Sequence, residues 1–117
     1  MESITLGREG LKSEEIKQGV LLHQDLVKDL EASLLALKNG EIEELDKLTN
    51  RTREITSKLL ITFKEKDDLS TNLRSIYLLI NTLVIEGEMK KDPSQFERAL
   101  KAINPITRGF KSLESKK

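Results

Sequence analysis

One stretch constrains the fold of this chain more than any other: from Leu69 to Ile85 the only charged side chain is Arg74. In a protein whose residues are 34% charged, a segment this apolar must be buried. Its apolar residues recur at spacings of four and three, and the Asp67-Asp68 pair just upstream is of the type that caps helix N-termini. Because further apolar residues flank the main stripe, the pattern predicts a core helix wrapped on several sides.

The size and residue types of the chain exclude several classes of site. Its 117 residues suit one domain, which can bury a core without disulfides or metals. The chain has no cysteine and one histidine, so disulfides and thiolate metal sites are excluded and no histidine cluster can hold a metal. No phosphate-binding glycine loop, serine nucleophile motif or dinucleotide fingerprint is present. We therefore expect neither a cofactor nor enzymatic activity.

The charges are balanced, with 20 basic and 20 acidic residues. Without an excess of positive charge, binding to nucleic acid or to an anionic membrane is not favoured. The apolar stretch is shorter than the roughly 20 residues that span a bilayer. Residues 1–12 also lack the continuous apolar run of a signal peptide. These features predict a soluble, cytoplasmic protein.

Two helices are predicted in the first half of the chain. Ser13 is expected to be an N-cap, and the Asn39-Gly40 pair a C-cap that uses the left-handed conformation open to glycine. Apolar residues recur at spacings of three and four in both helices. The first carries Ile16, Val20, His23, Val27, Leu30, Leu34 and Leu37, and the second carries Ile42, Leu45, Leu48, Thr52, Ile55, Leu59 and Phe63. The hydroxyl residues between Thr49 and Thr56 are expected on the outer face of the second helix.

The second half of the chain predicts two more helices. The charged segment from Lys64 to Asp68 precedes the central helix, and the polar stretch from Gly87 to Lys91 follows it. Asp92-Pro93-Ser94-Gln95 combines an N-cap residue, a proline at the first helical position and a capping-box glutamine, so a fourth helix begins there. Pro105 is expected to end or kink that helix and to leave a short last segment.

Four amphipathic helices with short connections predict an all-α fold, an antiparallel up-and-down helical bundle of four main helices plus short terminal segments. We expect residues 1–12 to form a flexible arm, residues 13–113 the bundle domain and residues 114–117 a tail. With one tyrosine and three phenylalanines, the core is expected to be mostly aliphatic.

His23 is the one side chain whose unperturbed pKa lies near neutrality. Its place on the apolar seam of the first helix predicts a core or boundary histidine with one nitrogen satisfied. The sharper alternative is a histidine phosphotransfer module on a four-helix bundle, which requires an exposed imidazole. The paired acids, such as Glu43-Glu44, lie in helix starts and turns and are interpreted as capping charges.

The central helix carries more apolar residues than one seam of a bundle needs, and Thr71, Ser75 and Thr82 are small uncharged residues on its other side. Other helices of the same chain can cover this surplus. The functional alternative is a surface that receives an amphipathic helix from a protein partner. Tyr77 is the best anchor for such a partner, because tyrosine is enriched among interface hot spots. The predicted partner-binding residues are Leu73, Tyr77, Ile80 and Val84.

The segment from Leu73 to Asp92 resembles the FliS family of flagellin export chaperones. Leu73 and Tyr77 match a Leu-x-x-x-Tyr pattern of that family, and Lys90-Lys91-Asp92-Pro93 matches the turn before its last helix. Phe110 stands in the place of a closing tryptophan. The likeness also includes Ala32, Lys38-Asn39-Gly40-Glu41-Ile42 and Ile55 to Leu59, and so covers most of the chain from Ser13 to Phe110.

The chain also departs from the family pattern. Leu22-His23-Gln24-Asp25 replaces a Tyr-Asp-Gly-Ala step, Leu79 replaces a second tyrosine, and Gly87-Glu88 replaces an Ala-Asn step. The tyrosine-rich N-terminal arm is missing. Several of these positions are associated with flagellin binding in the family. The resemblance therefore implies either an export chaperone for flagellin or a co-chaperone that binds the flagellin chaperone itself; an unrelated helical adaptor is the alternative.

Overall fold

A computed structural model describes residues 11–115 of the chain. Within this range there are four α-helices and no strand: α1 (Ser13–Lys38), α2 (Ile42–Thr62), α3 (Asp68–Lys90) and α4 (Pro93–Ser115). The predicted arm of residues 1–12 lies almost wholly outside the described residues, as does the end of the predicted tail. These four helices agree with the predicted all-α fold class.

Each helix packs against two neighbours. α1 contacts α2 and α4 most extensively, and α3 also lies between α2 and α4. Because the connections are only a few residues long, consecutive helices run antiparallel. The molecule measures 44 × 23 × 23 Å, and its long dimension is close to one helix length of roughly 35–39 Å. The predicted up-and-down four-helix bundle is confirmed.

Local capping interactions fix the helix ends. The Asp67 carboxylate accepts a hydrogen bond from the Ser70 backbone N–H at 2.7 Å, which confirms the predicted start of α3. Gly40 has a φ of 72° just after α1, the left-handed conformation that glycine adopts without strain. α1 differs slightly from expectation: its N-cap is Lys12, whose backbone N–H donates to the Glu15 carboxylate, and Ser13 is the first helical residue.

Two helices are longer than predicted. α3 continues through Gly87 and ends at Lys90, whereas the polar residues there predicted an earlier end. α4 does not stop at Pro105 but runs on to Ser115, so Ile106, Phe110 and Leu113 share one helix with Phe96. Proline removes only one helical hydrogen bond, to the carbonyl of Lys101. Both residues lie on the exposed side of α4, where water can bond that carbonyl.

The hydroxyl residues of α2 lie on its inner face, so their predicted outward placement was wrong. Thr49, Thr52 and Thr56 are all buried. The Thr52 hydroxyl donates to the Leu48 carbonyl, and the hydroxyls of Thr49 and Thr56 each have two acceptors within reach, a backbone carbonyl one turn earlier and a side-chain oxygen of α3. Threonine can therefore occupy a core position of a helix without leaving an unpaired donor.

The core is mainly aliphatic, as expected. Its largest fully buried side chains are Tyr77, Phe63, Phe96, Phe110, Ile16, Leu26, Leu30, Leu45, Leu59, Leu73, Ile80 and Ile103. All four helices contribute to this set, so the core runs the length of the bundle.

Candidate functional site

His23 and Tyr77 form a buried polar pair in the middle of the bundle. His23 Nε2 lies 2.7 Å from the Tyr77 hydroxyl, so α1 and α3, which lie diagonally across the bundle, are joined by a hydrogen bond. Neither side chain has exposed surface. The rings of Phe63 and Phe110 lie 6.4 and 4.8 Å from that of His23, measured between centroids. The His23 ring therefore has aromatic neighbours from the end of α2, from α3 and from α4.

Burial controls the electrostatics of this pair. It lowers the pKa of His23 to about 4, and the backbone of Gly19 opposes this only in part. Burial also raises the pKa of Tyr77 above its ordinary value. Both side chains are therefore neutral near pH 7. The Gly19 backbone is near the ring, but His23 Nδ1 makes no hydrogen bond of full geometry, so one nitrogen is well satisfied, as the sequence predicted.

This environment is unsuited to phosphotransfer. A phosphorylatable histidine must present a ring nitrogen to a donor, and the His23 ring is fully buried. The structure thus contradicts the histidine phosphotransfer alternative. The pair acts instead as an interior contact between helices.

The four predicted partner-binding residues lie together on the inner face of α3. Leu73, Tyr77, Ile80 and Val84 have no exposed surface, because α2 and α4 flank that face and α1 lies across from it. In this conformation they hold α3 in the bundle and present nothing to a partner. Their role in binding stays a prediction, and it requires one helix of the bundle to move aside.

The outer face of α3 carries a second row of uncharged residues. We define the outer stripe as Thr71, Ser75, Leu78, Thr82, Ile85 and Met89, which recur at spacings of four and three. All six are exposed, and Met89 and Leu78 keep 77% and 55% of their surface in contact with solvent. The stripe is roughly 27 Å long and contains no charge. The sequence indicated its small residues, Thr71, Ser75 and Thr82, but the predicted partner-binding residues lie on the opposite face of α3.

Other exposed apolar side chains do not form such a row. On α1, Leu21 and Leu35 are 52% and 60% exposed, but Lys28 lies between them on the same face. Isolated exposed leucines are common on protein surfaces, whereas a continuous uncharged stripe is not. The outer stripe is therefore the surface of the described residues best suited to an apolar partner.

Polar contacts fix one edge of the outer stripe against α2. The Thr56 hydroxyl lies 2.7 Å from the Asn81 side-chain oxygen, and the Thr49 hydroxyl lies 2.9 Å from the Glu88 carboxylate. At the end of this seam, Arg74 Nη1 donates to the carbonyls of Phe63 and Glu65. These contacts hold α3 in one rotation about its axis, so the outer stripe faces solvent.

Asp29 is a buried acid whose burial the sequence did not indicate. Its Oδ1 lies 3.4 Å from Arg51 Nη2, and its Oδ2 has no partner. Burial raises the pKa of Asp29, and Arg51 opposes this in part. Its position beside Leu30, on the apolar side of α1, was the one hint of burial in the sequence. The residue type pointed the other way, because aspartate is rarely buried.

Within residues 11–115, no group of three or more metal-ligating side chains comes together. None of the helices described is long and apolar enough to cross a membrane.

Comparison with known proteins agrees with the resemblance seen in the sequence. Among curated proteins, no match was found. The family model described as "Flagellar protein FliS" matches residues 12–117, which spans all four helices, the buried pair and the outer stripe. On this evidence the chain belongs to the FliS family of flagellar chaperones.

Proposed function

We propose that this protein is a cytoplasmic export chaperone or co-chaperone that binds a helical segment of a flagellar protein along α3. The observation that carries the proposal is the outer stripe, an exposed and uncharged row on an otherwise highly charged molecule. Its length of roughly 27 Å fits about five turns of a partner helix. An amphipathic helix buries its apolar face in such a surface through side chains spaced three and four apart.

Two partners fit this surface. Flagellin is supported by membership of the FliS family, whose chaperones bind flagellin. The flagellin chaperone itself is favoured by the departures from the family pattern, above all Leu22-His23 in place of a Tyr-Asp pair and Leu79 in place of a second tyrosine. In the structure His23 is used inside the bundle, so this position is not available for binding a client.

The partner can be identified by titration calorimetry with purified flagellin and, separately, the purified flagellin chaperone of the same bacterium. Saturable binding of one of them selects the corresponding role. Leu78→Glu places a charge in the middle of the outer stripe and should weaken that binding by about 2 kcal/mol or more. Leu35→Glu, at a similarly exposed leucine on α1, is the matched control and should bind normally. If neither protein binds the wild type, the proposal is wrong.

A further inference from the structure

The exposed face of α4 carries a local excess of positive charge. Between Glu97 and Glu114 the helix has only basic charged residues, and all of them are exposed: Arg98, Lys101, Arg108 and Lys111. None of them lies in the last turn, where the helix dipole would account for a cation. The chain as a whole carries no net charge, so the excess belongs to this face and not to the molecule.

Most of these cations are unpaired. In the described part of the chain the one ion pair lies between α1 and α2 and includes none of them. Arg98 donates a hydrogen bond to the Gln95 side chain. The side chains of Lys101, Arg108 and Lys111 make no hydrogen bond or ion pair within the same part of the chain. Three cations of α4 are therefore available to an anionic partner.

A groove between α1 and α4 lies beside this face. It has a volume of about 400 Å³, and its exposed cations are Lys28 of α1 and Arg108 of α4. Like Arg108, Lys28 has no hydrogen bond or ion pair with another described residue. Half-buried Gln24, Val27 and Asn104 also line the groove. The two amides can donate hydrogen bonds to an anion, and Val27 offers an apolar contact.

The groove suits the carboxylates of a protein helix better than the phosphates of a nucleic acid or a membrane. Glu31 lines the same groove, and Glu97 and Glu114 lie at the two ends of the basic row. Double-stranded DNA carries a charge about every 1.7 Å and would bring phosphates against these acids. A protein segment can place uncharged residues there. A groove between two helices also accepts a helix, whereas a flat lipid surface cannot enter it.

We propose that the groove between α1 and α4 binds an acidic, helical segment of a second protein, with carboxylates of that segment at Lys28 and Arg108. This inference does not depend on the proposed function. The outer stripe lies wholly on α3, which contributes no residue to the groove. A partner on α3 and the acidic segment can therefore be bound at the same time.

A synthetic alanine-rich helical peptide with a row of glutamates on one face tests the groove by fluorescence anisotropy. It should bind saturably at low salt and more weakly as salt is added, because exposed charge pairs are screened. The same peptide with glutamine in place of glutamate should not bind. The double change Lys28→Gln and Arg108→Gln should weaken binding by about tenfold or more.

The matched control is the double change Lys47→Gln and Lys58→Gln, which removes the same charge from exposed positions of α2 and should bind as the wild type. Circular dichroism checks that the bundle stays folded in both double variants. In amide NMR spectra the glutamate peptide should shift residues 24–31 of α1 and 104–108 of α4. The amides of the outer stripe should stay unchanged.

Three results would overturn the proposal. The first is a glutamate peptide that shows no saturable binding at low salt. The second is a double variant of Lys28 and Arg108 that binds like the wild type. The third is tighter binding of an oligonucleotide, or of vesicles containing phosphatidylglycerol, that is lost in the same double variant and so assigns the groove to phosphate. The peptide contains no flagellar sequence, so these results are independent of the titrations with flagellar proteins.

Discussion

The buried pair of His23 and Tyr77 joins two helices that lie diagonally across the bundle. A hydrogen bond between neutral side chains contributes about 1 kcal/mol when both partners are present, but a buried group left alone costs more. Nδ1 of His23 makes no hydrogen bond of full geometry, so Tyr77 is the one side-chain partner of the ring. Stability should therefore be sensitive to pH and to small changes at Tyr77.

Acid should destabilise the protein through His23. The folded-state pKa is lowered from 6.5 to about 4, so between these values the unfolded chain binds a proton that the folded chain does not. Stability contributed by neutral His23 is therefore fully present above pH 6.5 and is lost as pH falls toward 4, by up to about 3 kcal/mol. Urea unfolding at a series of pH values measures this loss.

The variant His23→Gln does not titrate and isolates the effect of His23. Asp29, whose pKa is raised, has the opposite pH dependence at the acid end, but it is common to both proteins and cancels in their difference. The stability difference between wild type and variant should therefore shift steadily from pH 6.5 to 4. A constant difference over that range would mean that His23 is not buried in its neutral form.

Tyr77→Phe should lower the free energy of unfolding by about 1–3 kcal/mol, because it leaves His23 Nε2 unpaired in the core. Tyr77→Ala should cost more, about 3–5 kcal/mol, since it also leaves a cavity. Chemical denaturation of both variants measures these values. Leu78→Ala, at the exposed neighbouring position, should change stability by less than about 0.5 kcal/mol.

The sequence predicted single residues correctly where the feature depends on one helix alone. The Asp67 cap, the Gly40 turn and the inward side of His23 follow from local propensity and spacing. The burial of the α2 threonines and of Asp29 could not be predicted in this way. Polar side chains are buried where a neighbouring helix or a backbone carbonyl offers them a bonding partner. That information belongs to the assembled bundle.

At the scale of elements, the connection between α2 and α3 depends on Arg74. Its guanidinium bonds the carbonyls of Phe63 and Glu65, at 2.6 and 2.8 Å, which lie at and just after the end of α2. Those carbonyls have no helical partner of their own. The one charge in the apolar stretch thus has a structural role that its sequence position did not reveal.

Arg74→Ala should lower the free energy of unfolding by about 2 kcal/mol, because it removes two charge-assisted hydrogen bonds, one part-buried and one exposed. Amide hydrogen exchange should quicken most in the last turn of α2 and the loop after it. Lys58→Ala, an exposed change on α2, is the control. If its effect equals that of Arg74→Ala, the guanidinium contacts contribute nothing specific.

Gly87 allows α3 and α4 to approach closely. A Cβ at this position would lie 2.7 Å from Phe96 Cε2, which is closer than packed atoms tolerate. The resemblance places Ala-Asn where this chain has Gly87-Glu88, so glycine here accommodates the Phe96 ring. From the sequence, this glycine was predicted to belong to a polar connection. The spacing of apolar residues in one helix does not show where another helix packs closely against it.

Gly87→Ala should therefore destabilise the bundle by about 1–3 kcal/mol through overpacking, although alanine is the better helix former. Combining it with Phe96→Leu should cost less than the sum of the two single changes, because each then makes room for the other. Thr82→Ala on the exposed face of α3 serves as the control. A stabilised Gly87→Ala variant would show that Phe96 can shift without penalty.

For the whole molecule, the inner and outer faces of α3 are the two candidate contact surfaces for the proposed partner. The sequence favoured the inner residues Leu73, Tyr77, Ile80 and Val84, and the structure encloses all four in the bundle. Periodicity identifies which residues share a face of a helix. It cannot say which of two uncharged faces the rest of the chain covers, since this depends on how the four helices are arranged.

Thermal melts and partner titrations on the same two variants decide between these faces. If the partner binds the outer stripe, Leu78→Glu should weaken binding by about 2 kcal/mol or more, roughly thirtyfold, with little change in melting temperature. Tyr77→Phe should do the reverse: a lower melting temperature and unchanged affinity where the protein is still folded. Binding through the inner face requires an opened bundle, and its apparent affinity would follow the population of that open state. In that case Tyr77→Phe, which loosens the bundle, would alter binding while Leu78→Glu would not, and the contact would return to the four inner residues.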